Sequence, residues 1–315
     1  MVASTPSRLS LSRVRGSNCV LVISGSKSAG RAGIPRGRVR TREIGWRSGT
    51  GSGCNGSVLD DVQVASFIDN GYVHIPDAFP RALAEECRAI VWRDLDATPD
   101  DPSGWPVPAA FRPDYLDAPF VAAASTPRLR AAYDALVGPG RWAPRRSLGS
   151  FVIRFPGQDT ALLDGWHVDA SFPGPDSAPG DYLSWRVNVH SQGRALLMLF
   201  LFSDTAEPDA PTRLRVGSHR QIARLLEPEG EAGLDARELA TRADPATAGL
   251  PTAHATGRAG DVYLCHPFLV HAGQPNRGNT PRFLAQPPLH PAQPLRITGP
   301  GPFSAVETAI RAAIG

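Results

Sequence analysis

The chain has 315 residues, 42% of them apolar, with a formal net charge of +3, which is ample for a packed core and excludes a wholly disordered or fibrous protein. Residues 1–57 hold ten Lys or Arg and one acidic residue, Glu43, while the remaining 23 basic and 29 acidic residues put the body at −6; basicity of the kind that recruits nucleic acid is therefore confined to the front of the chain. Four cysteines, Cys19, Cys54, Cys87 and Cys265, form no Cys-x-x-Cys pair, and the longest apolar run, 195–202, has eight residues, so neither a disulfide framework nor a structural zinc site is indicated, no membrane span is expected and a reducing cytoplasm is the expected compartment.

Residues 1–57 are rich in Ser, Gly and Arg without helical or strand periodicity over most of their length, and are expected to be a disordered extension. Such a composition suits an organelle transit peptide, a nucleic-acid-binding tail or an extension without function. The last is favoured, because the arginines are scattered and Trp46 is the only aromatic residue among them. Order is expected from about residue 58 to the end, as one domain.

Asp60 to Gly71 opens on acidic residues, places apolar residues at 62, 64, 67 and 68, and closes on Asn-Gly, as a short helix does. Residues 72–76 read as a strand, and 80–95 as a second helix with Pro in the first turn and an apolar stripe at Leu83, Cys87, Ile90 and Val91. The proline-rich stretch 96–120 reads as a long irregular loop, and 125–137 as a third helix closed by Gly138-Pro-Gly140. Beyond Ser147 the pattern changes to short strands, at 148–155, 162–169, 183–190, 195–203, 212–216, 261–265, 268–271 and 282–287, with one helical insertion near 220–240 and a last helix at 303–314. About eight strands of this kind predict a mainly β fold, a cupin-like jelly roll or double-stranded β-helix, with helices flanking its N-terminal side.

Within the strands, Asp164-Gly-Trp-His-Val-Asp169 carries the densest chemistry. Residues two apart on a strand share a face, so His167 and Asp169 aim an imidazole and a carboxylate at one point, while Trp166 and Val168 face the other way. A third ligand would come from the segment 261–271, where His266 and His271 lie five apart and so face opposite sides of a regular strand; only one can serve, and His271 is the choice. Two His and one carboxylate leave half of a metal's coordination sphere open, the pattern of non-haem Fe(II) oxygenases. Arg282 falls on the following strand, where a buried guanidinium beside a metal would require an anion, and its planar fork suits a carboxylate. The ordinary alternatives are a surface hairpin for the His-x-Asp pair and a surface ion pair for Arg282.

Phe67-Ile-Asp-Asn-Gly-Tyr-Val-His-Ile-Pro-Asp-Ala-Phe-Pro80, Trp166-His-Val-Asp169, Arg215-Val-Gly-Ser-His-Arg220 and the run from Gly260 through His271 to Arg282 resemble, in order, the successive signatures of the phytanoyl-CoA dioxygenase family. The resemblance implies a double-stranded β-helix and a dioxygenase that uses Fe(II), with 2-oxoglutarate and O2 as cosubstrates. It implies that His167, Asp169 and His271 are the iron ligands, that Arg282 holds the distal carboxylate of 2-oxoglutarate, and that Trp185 lines the cosubstrate pocket. Asp209-Ala-Pro-Thr-Arg213 departs from the Asn-Gly that many members carry before Gly-Ser-His. Asp169 is kept where halogenating relatives replace the carboxylate, so hydroxylation of a small-molecule substrate is expected, with neither nucleic acid nor membrane as partner. A metal-dependent hydrolase or isomerase on the same fold, and a non-catalytic jelly-roll binding protein, are the alternatives. His190 is a candidate for the substrate cavity or for a structural hydrogen bond, and Gly217-Ser-His219 for the closing of a turn.

Overall fold

The computed structural model describes residues 58–157, 159, 164–178 and 181–315. The expected extension 1–57, and the first two residues of the strand expected at 162–169, lie outside them.

Helix α1 (Asp61–Asn70) starts in a capping box in which the Asp60 carboxylate accepts from the Gln63 N–H while the Gln63 side chain accepts from the Asp60 N–H. It stops at Gly71, whose left-handed φ of 84° lets its N–H return to the Phe67 carbonyl. Strand β1 (Tyr72–Ile75) and helix α2 (Arg81–Asp94) follow. The expected loop 96–120 in fact contains strand β2 (Ala109–Arg112) and the start of helix α3 (Ala118–Ala124). Proline misled here because Pro119 sits in the first turn of α3, where its missing N–H costs nothing. Helix α4 (Pro127–Val137) and strand β3 (Phe151–Arg154) complete the N-terminal part.

The expected strand 183–190 shrinks to β4 (Arg186–Val187), because residues Tyr182–Ser184 form a 3-10 turn. Strands β5 (Leu196–Leu201) and β6 (Arg213–Arg215) match expectation. The helical insertion is two helices, α5 (Ser218–Leu226) and α6 (Ala236–Thr247), separated by β7 (Leu234–Asp235). Strands β8 (Thr252–His254), β9 (Val262–Cys265), β10 (His271–Ala272), β11 (Arg282–Ala285) and β12 (Pro288–Leu289) precede the last helix, α7 (Ala305–Ile314).

The larger sheet runs β1-β9-β5-β11-β3-β2, with β12 also on β5, and every pairing in it is antiparallel. A smaller antiparallel sheet runs β10-β6-β8 and is extended past β10 by a single bridge between His271 and His167. These two antiparallel sheets are the halves of the expected jelly roll. The central strand β5, Leu-Leu-Met-Leu-Phe-Leu, is buried at every position and divides two apolar clusters: Met198 and Phe200 pack with the helices, Leu197, Leu199 and Leu201 with Leu214, Tyr263 and Leu284. No helix among the described residues is long and apolar enough to cross a membrane.

Candidate metal centre

The site begins with one backbone pairing. His167 and His271 exchange both of their N–H to carbonyl bonds, each 3.0 Å, and residues paired in this way project their side chains side by side from the same face. Their ring centroids are 4.4 Å apart. Asp169, two residues on, returns to that face and sets Oδ1 3.6 Å from Nε2 of each histidine. All three residues are buried, and their candidate donor atoms lie within 4.8 Å of one another.

Backbone carbonyls set the tautomers. His167 Nδ1 lies 2.8 Å from the Gly165 oxygen and His271 Nδ1 3.0 Å from that of Leu269. A carbonyl only accepts, so each Nδ1 carries the proton and each Nε2 presents a lone pair. Those two nitrogens and Asp169 Oδ1 are buried without a hydrogen bond, an arrangement that is costly for the protein alone and is satisfied by a cation. Burial, then the neighbouring His271, drives the His167 pKa down to about 4, which keeps the ring neutral as a metal ligand must be. Burial alone would raise Asp169; Arg194, whose Nη1 is 3.2 Å from Oδ2, and the two histidines outweigh it and hold the carboxyl well below the usual range. Arg194 thus occupies one carboxylate oxygen and leaves the other for the metal.

The strand expected at 162–169 is, in its described part 164–169, an extended segment paired only through the His167 bridge, and its reverse face is fixed independently. The Trp166 ring is covered by the guanidinium carbons of Arg213 and Arg215, at 4.8 and 4.2 Å from its centroid. Arg213 also donates to the carbonyls of Asp164 and Gly273, tying the two ligand-bearing segments together from behind. Val168 is buried in the main core.

Arg282 stands directly across from Arg154 in the β11–β3 pairing, so both guanidiniums share one face. Arg154 is paired with Asp164 at 2.7 Å. Arg282, 2% exposed, has only neutral hydrogen-bond partners among the described residues: the carbonyls of Ala210 and Val152 and, at 3.5 Å, the Thr212 hydroxyl. Burial first, and the charge of Arg154 second, push its pKa down to about 9. A small cavity connects this cation to the metal-ligand histidines, lined by Arg282, Arg154, Thr212 and Gln286 together with His167 and His271. A second, larger one opens on the Asp169 side and is lined by Arg194, Tyr182, Trp185, His290 and again Gln286.

The structure brings His167, Asp169, His271 and Arg282 together as their positions imply. Trp185 is a correction: it faces the larger cavity, against Tyr182, and not the one that holds Arg282. The reason is local, since Trp185 caps the 3-10 turn and strand register starts only at Arg186. His266 points away from the centre, accepting from the Phe268 N–H and lying against His219, the two rings tilted with centroids 4.8 Å apart. His219 sits in the first turn of α5 with Nε2 3.0 Å from the Ile68 carbonyl, a structural role. His190 pairs with Glu231 at 3.2 Å and lines neither cavity. Arg194 and Gln286 escape the sequence reading. The one signal for Arg194 is a charged residue placed immediately before an eight-residue apolar run.

The phytanoyl-CoA dioxygenase (PhyH) family model matches residues 67–284, more than half of the chain. Similar solved structures include HygX from Streptomyces hygroscopicus with nickel, 2-oxoglutarate and hygromycin B bound, 21% identical over 78% of this chain and 97% of that one, with a TM-score of 0.47. The epimerase SnoN in complex with Fe3+, alpha ketoglutarate and nogalamycin RO is 18% identical over 72% and 81%, with a TM-score of 0.48. The hypothetical protein JW0805 from Escherichia coli is 14% identical over 75% and 69%, with a TM-score of 0.51, a likeness of fold. No curated protein matches the sequence. The jelly roll, the convergent His-Asp-His cluster and the family match over residues 67–284 place the chain in one family: it belongs to the phytanoyl-CoA dioxygenases, which are Fe(II)- and 2-oxoglutarate-dependent oxygenases.

Proposed function

We propose that the protein hydroxylates, or otherwise oxidises, a C–H bond of a small molecule, consuming 2-oxoglutarate and O2 and releasing succinate and CO2. The observation that carries this reading is the convergence of His167 Nε2, His271 Nε2 and Asp169 Oδ1, all buried and without hydrogen bonds, where the two histidines line one cavity with a buried arginine whose partners are neutral. His167, Asp169 and His271 would hold Fe(II). When bound, the iron supplies O2 activation and the oxidising power for the substrate.

The chain supplies position and exclusion of water. Arg282 would take the distal carboxylate of 2-oxoglutarate with the hydroxyl of Thr212 beside it, a charge-assisted contact inside a low-dielectric pocket. The Nδ1–H bonds to Gly165 and Leu269 hold both imidazoles in the ligating tautomer. Asp169 occupies the carboxylate position of the metal site, which favours hydroxylation over halogen transfer. The larger cavity beyond it has the mixed polar and apolar lining that would suit a small molecule.

Anaerobic titration of 2-oxoglutarate into iron-loaded wild type and Arg282→Ala, followed by the charge-transfer absorption of the chelate, tests this. Removing Arg282 is expected to cost about 2–5 kcal/mol of 2-oxoglutarate affinity with iron binding retained. An unchanged binding curve would take Arg282 out of the site. Absence of the absorption band in wild type would overturn the oxygenase reading in favour of a hydrolase, an isomerase or a binding protein.

A further inference from the structure

The larger cavity has a cationic wall to which the cosubstrate reading gives no ligand. Arg194 stands in the turn before β5 with its side chain 11% exposed. It touches Asp169 Oδ2 through Nη1 and donates to the Ala170 carbonyl through Nη2 at 3.2 Å, while Nε and Nη1 make no hydrogen bond. A guanidinium has five N–H donors, so most of this one's capacity is unspent in a place where unspent donors are costly. Asp169 cannot remain its full counter-charge in the loaded enzyme, because a metal ion on Oδ1 draws on the same carboxylate. The position is also built firmly: Gly193 packs so closely that a Cβ there would lie 2.0 Å from the Ser171 carbonyl oxygen, and the Gly193 N–H donates to the Ser171 hydroxyl. Across the cavity, Tyr182 and Trp185, with ring centroids 4.8 Å apart, supply an aromatic wall.

Resting on the oxygenase reading, we propose that the primary substrate carries a carboxylate on a planar or apolar body, and that Arg194 receives that carboxylate while Tyr182 and Trp185 flank the body. The fork of an arginine matches a carboxylate in two parallel hydrogen bonds, which a point charge does not. The substrate would then be held beside Asp169, at the edge of the metal centre and opposite the cavity that contains Arg282. Arg194 is on this account a substrate-binding and specificity residue, and its contact with Asp169 is what places it.

The test uses benzoate as the probe and benzamide as its neutral counterpart, with ligand-observed NMR and tryptophan fluorescence on the full chain without metal. Metal-free protein separates this proposal from the oxygenase reading, which the 2-oxoglutarate titration decides by itself. Wild type is expected to bind benzoate saturably and in preference to benzamide, with quenching that disappears in Trp185→Phe. Arg194→Gln should weaken benzoate by roughly tenfold or more, the scale of a lost charge-assisted contact. Arg194→Lys should fall between the two. Equal binding by Arg194→Gln, or no saturable binding by wild type, overturns the proposal. Should Arg194→Gln fail to fold, Arg194→Lys and the wild-type preference for benzoate decide it, and the absence of any preference overturns it.

Discussion

At the scale of single residues, the centre depends on atoms with no protein partner. His271→Ala removes one of three donors and is expected to lower metal occupancy well below one per chain, read by elemental analysis after dialysis, while the fold is kept because the His271 backbone pairing with His167 does not involve the side chain. Full occupancy in that variant would exclude His271 as a ligand. Gly193→Ala makes the converse test, since the added methyl collides with backbone rather than with a yielding side chain. Overpacking of this kind costs about 1–3 kcal/mol, visible as a lower urea midpoint with an unchanged slope. His167 and Asp169 were legible from sequence because a two-residue spacing on extended chain translates directly into a shared face, and His271 and Arg282 through the order of the motifs that resemble the family. Arg194 was not, because it lies in a turn, where no periodicity tells which way a side chain goes, and only the folded chain shows Asp169 beside it.

At the scale of elements, a second pair of histidines joins helices to the sheet. His219 in α5 reaches the end of α1 through the Ile68 carbonyl, and packs its ring at a tilt against His266, which follows β9 and lies 3.4 Å from the Val306 carbonyl in α7. Burial pushes His219 down to about 4 and His266 well below its ordinary range. The unfolded ring takes up its proton near pH 6.5, so stability is whole above that pH and declines as pH falls toward 4, where the folded ring titrates too. The loss assignable to His219 is on the order of 3 kcal/mol. His167 adds to the same slope in metal-free protein, so the measurement is a difference: melting temperature against pH should fall less steeply in His219→Gln than in wild type, and parallel curves would refute the assignment. Elements with complete local signals, such as α1 with its capping box and glycine stop, were readable. Strands β2, β8 and β12, of two to four residues, were not, since pairing rather than pattern defines so short a strand.

At the scale of the molecule, the last helix closes the fold on the first. Helix α7 packs against α1, α4 and α5, and its buried Glu307 accepts from the Arg141 guanidinium and from the N–H groups of Arg296 and Ser304. Burial would raise Glu307; Arg141 and the two N–H groups outweigh it and bring it down to about 2. Its contribution is therefore complete above the unfolded value near 4.3 and is lost as pH falls toward 2. Glu307→Gln leaves Arg141 without its counter-charge and should cost about 3 kcal/mol at neutral pH, with the deficit against wild type shrinking in acid; a constant deficit would count against the ion pair. Residues 1–57 lack the periodic apolar pattern that a core segment needs, so a chain starting at residue 58 is expected to melt at the same temperature as the full chain, and a marked drop would show that 1–57 docks on the body. The single bridge between His167 and His271 has a consequence for quality control of the fold. A slip of one residue there would present Trp166 and Val168, or Val270 and Ala272, to the centre, so a misthreaded chain with every strand count intact would be blind to iron, and metal uptake is a proofreading assay for the whole jelly roll.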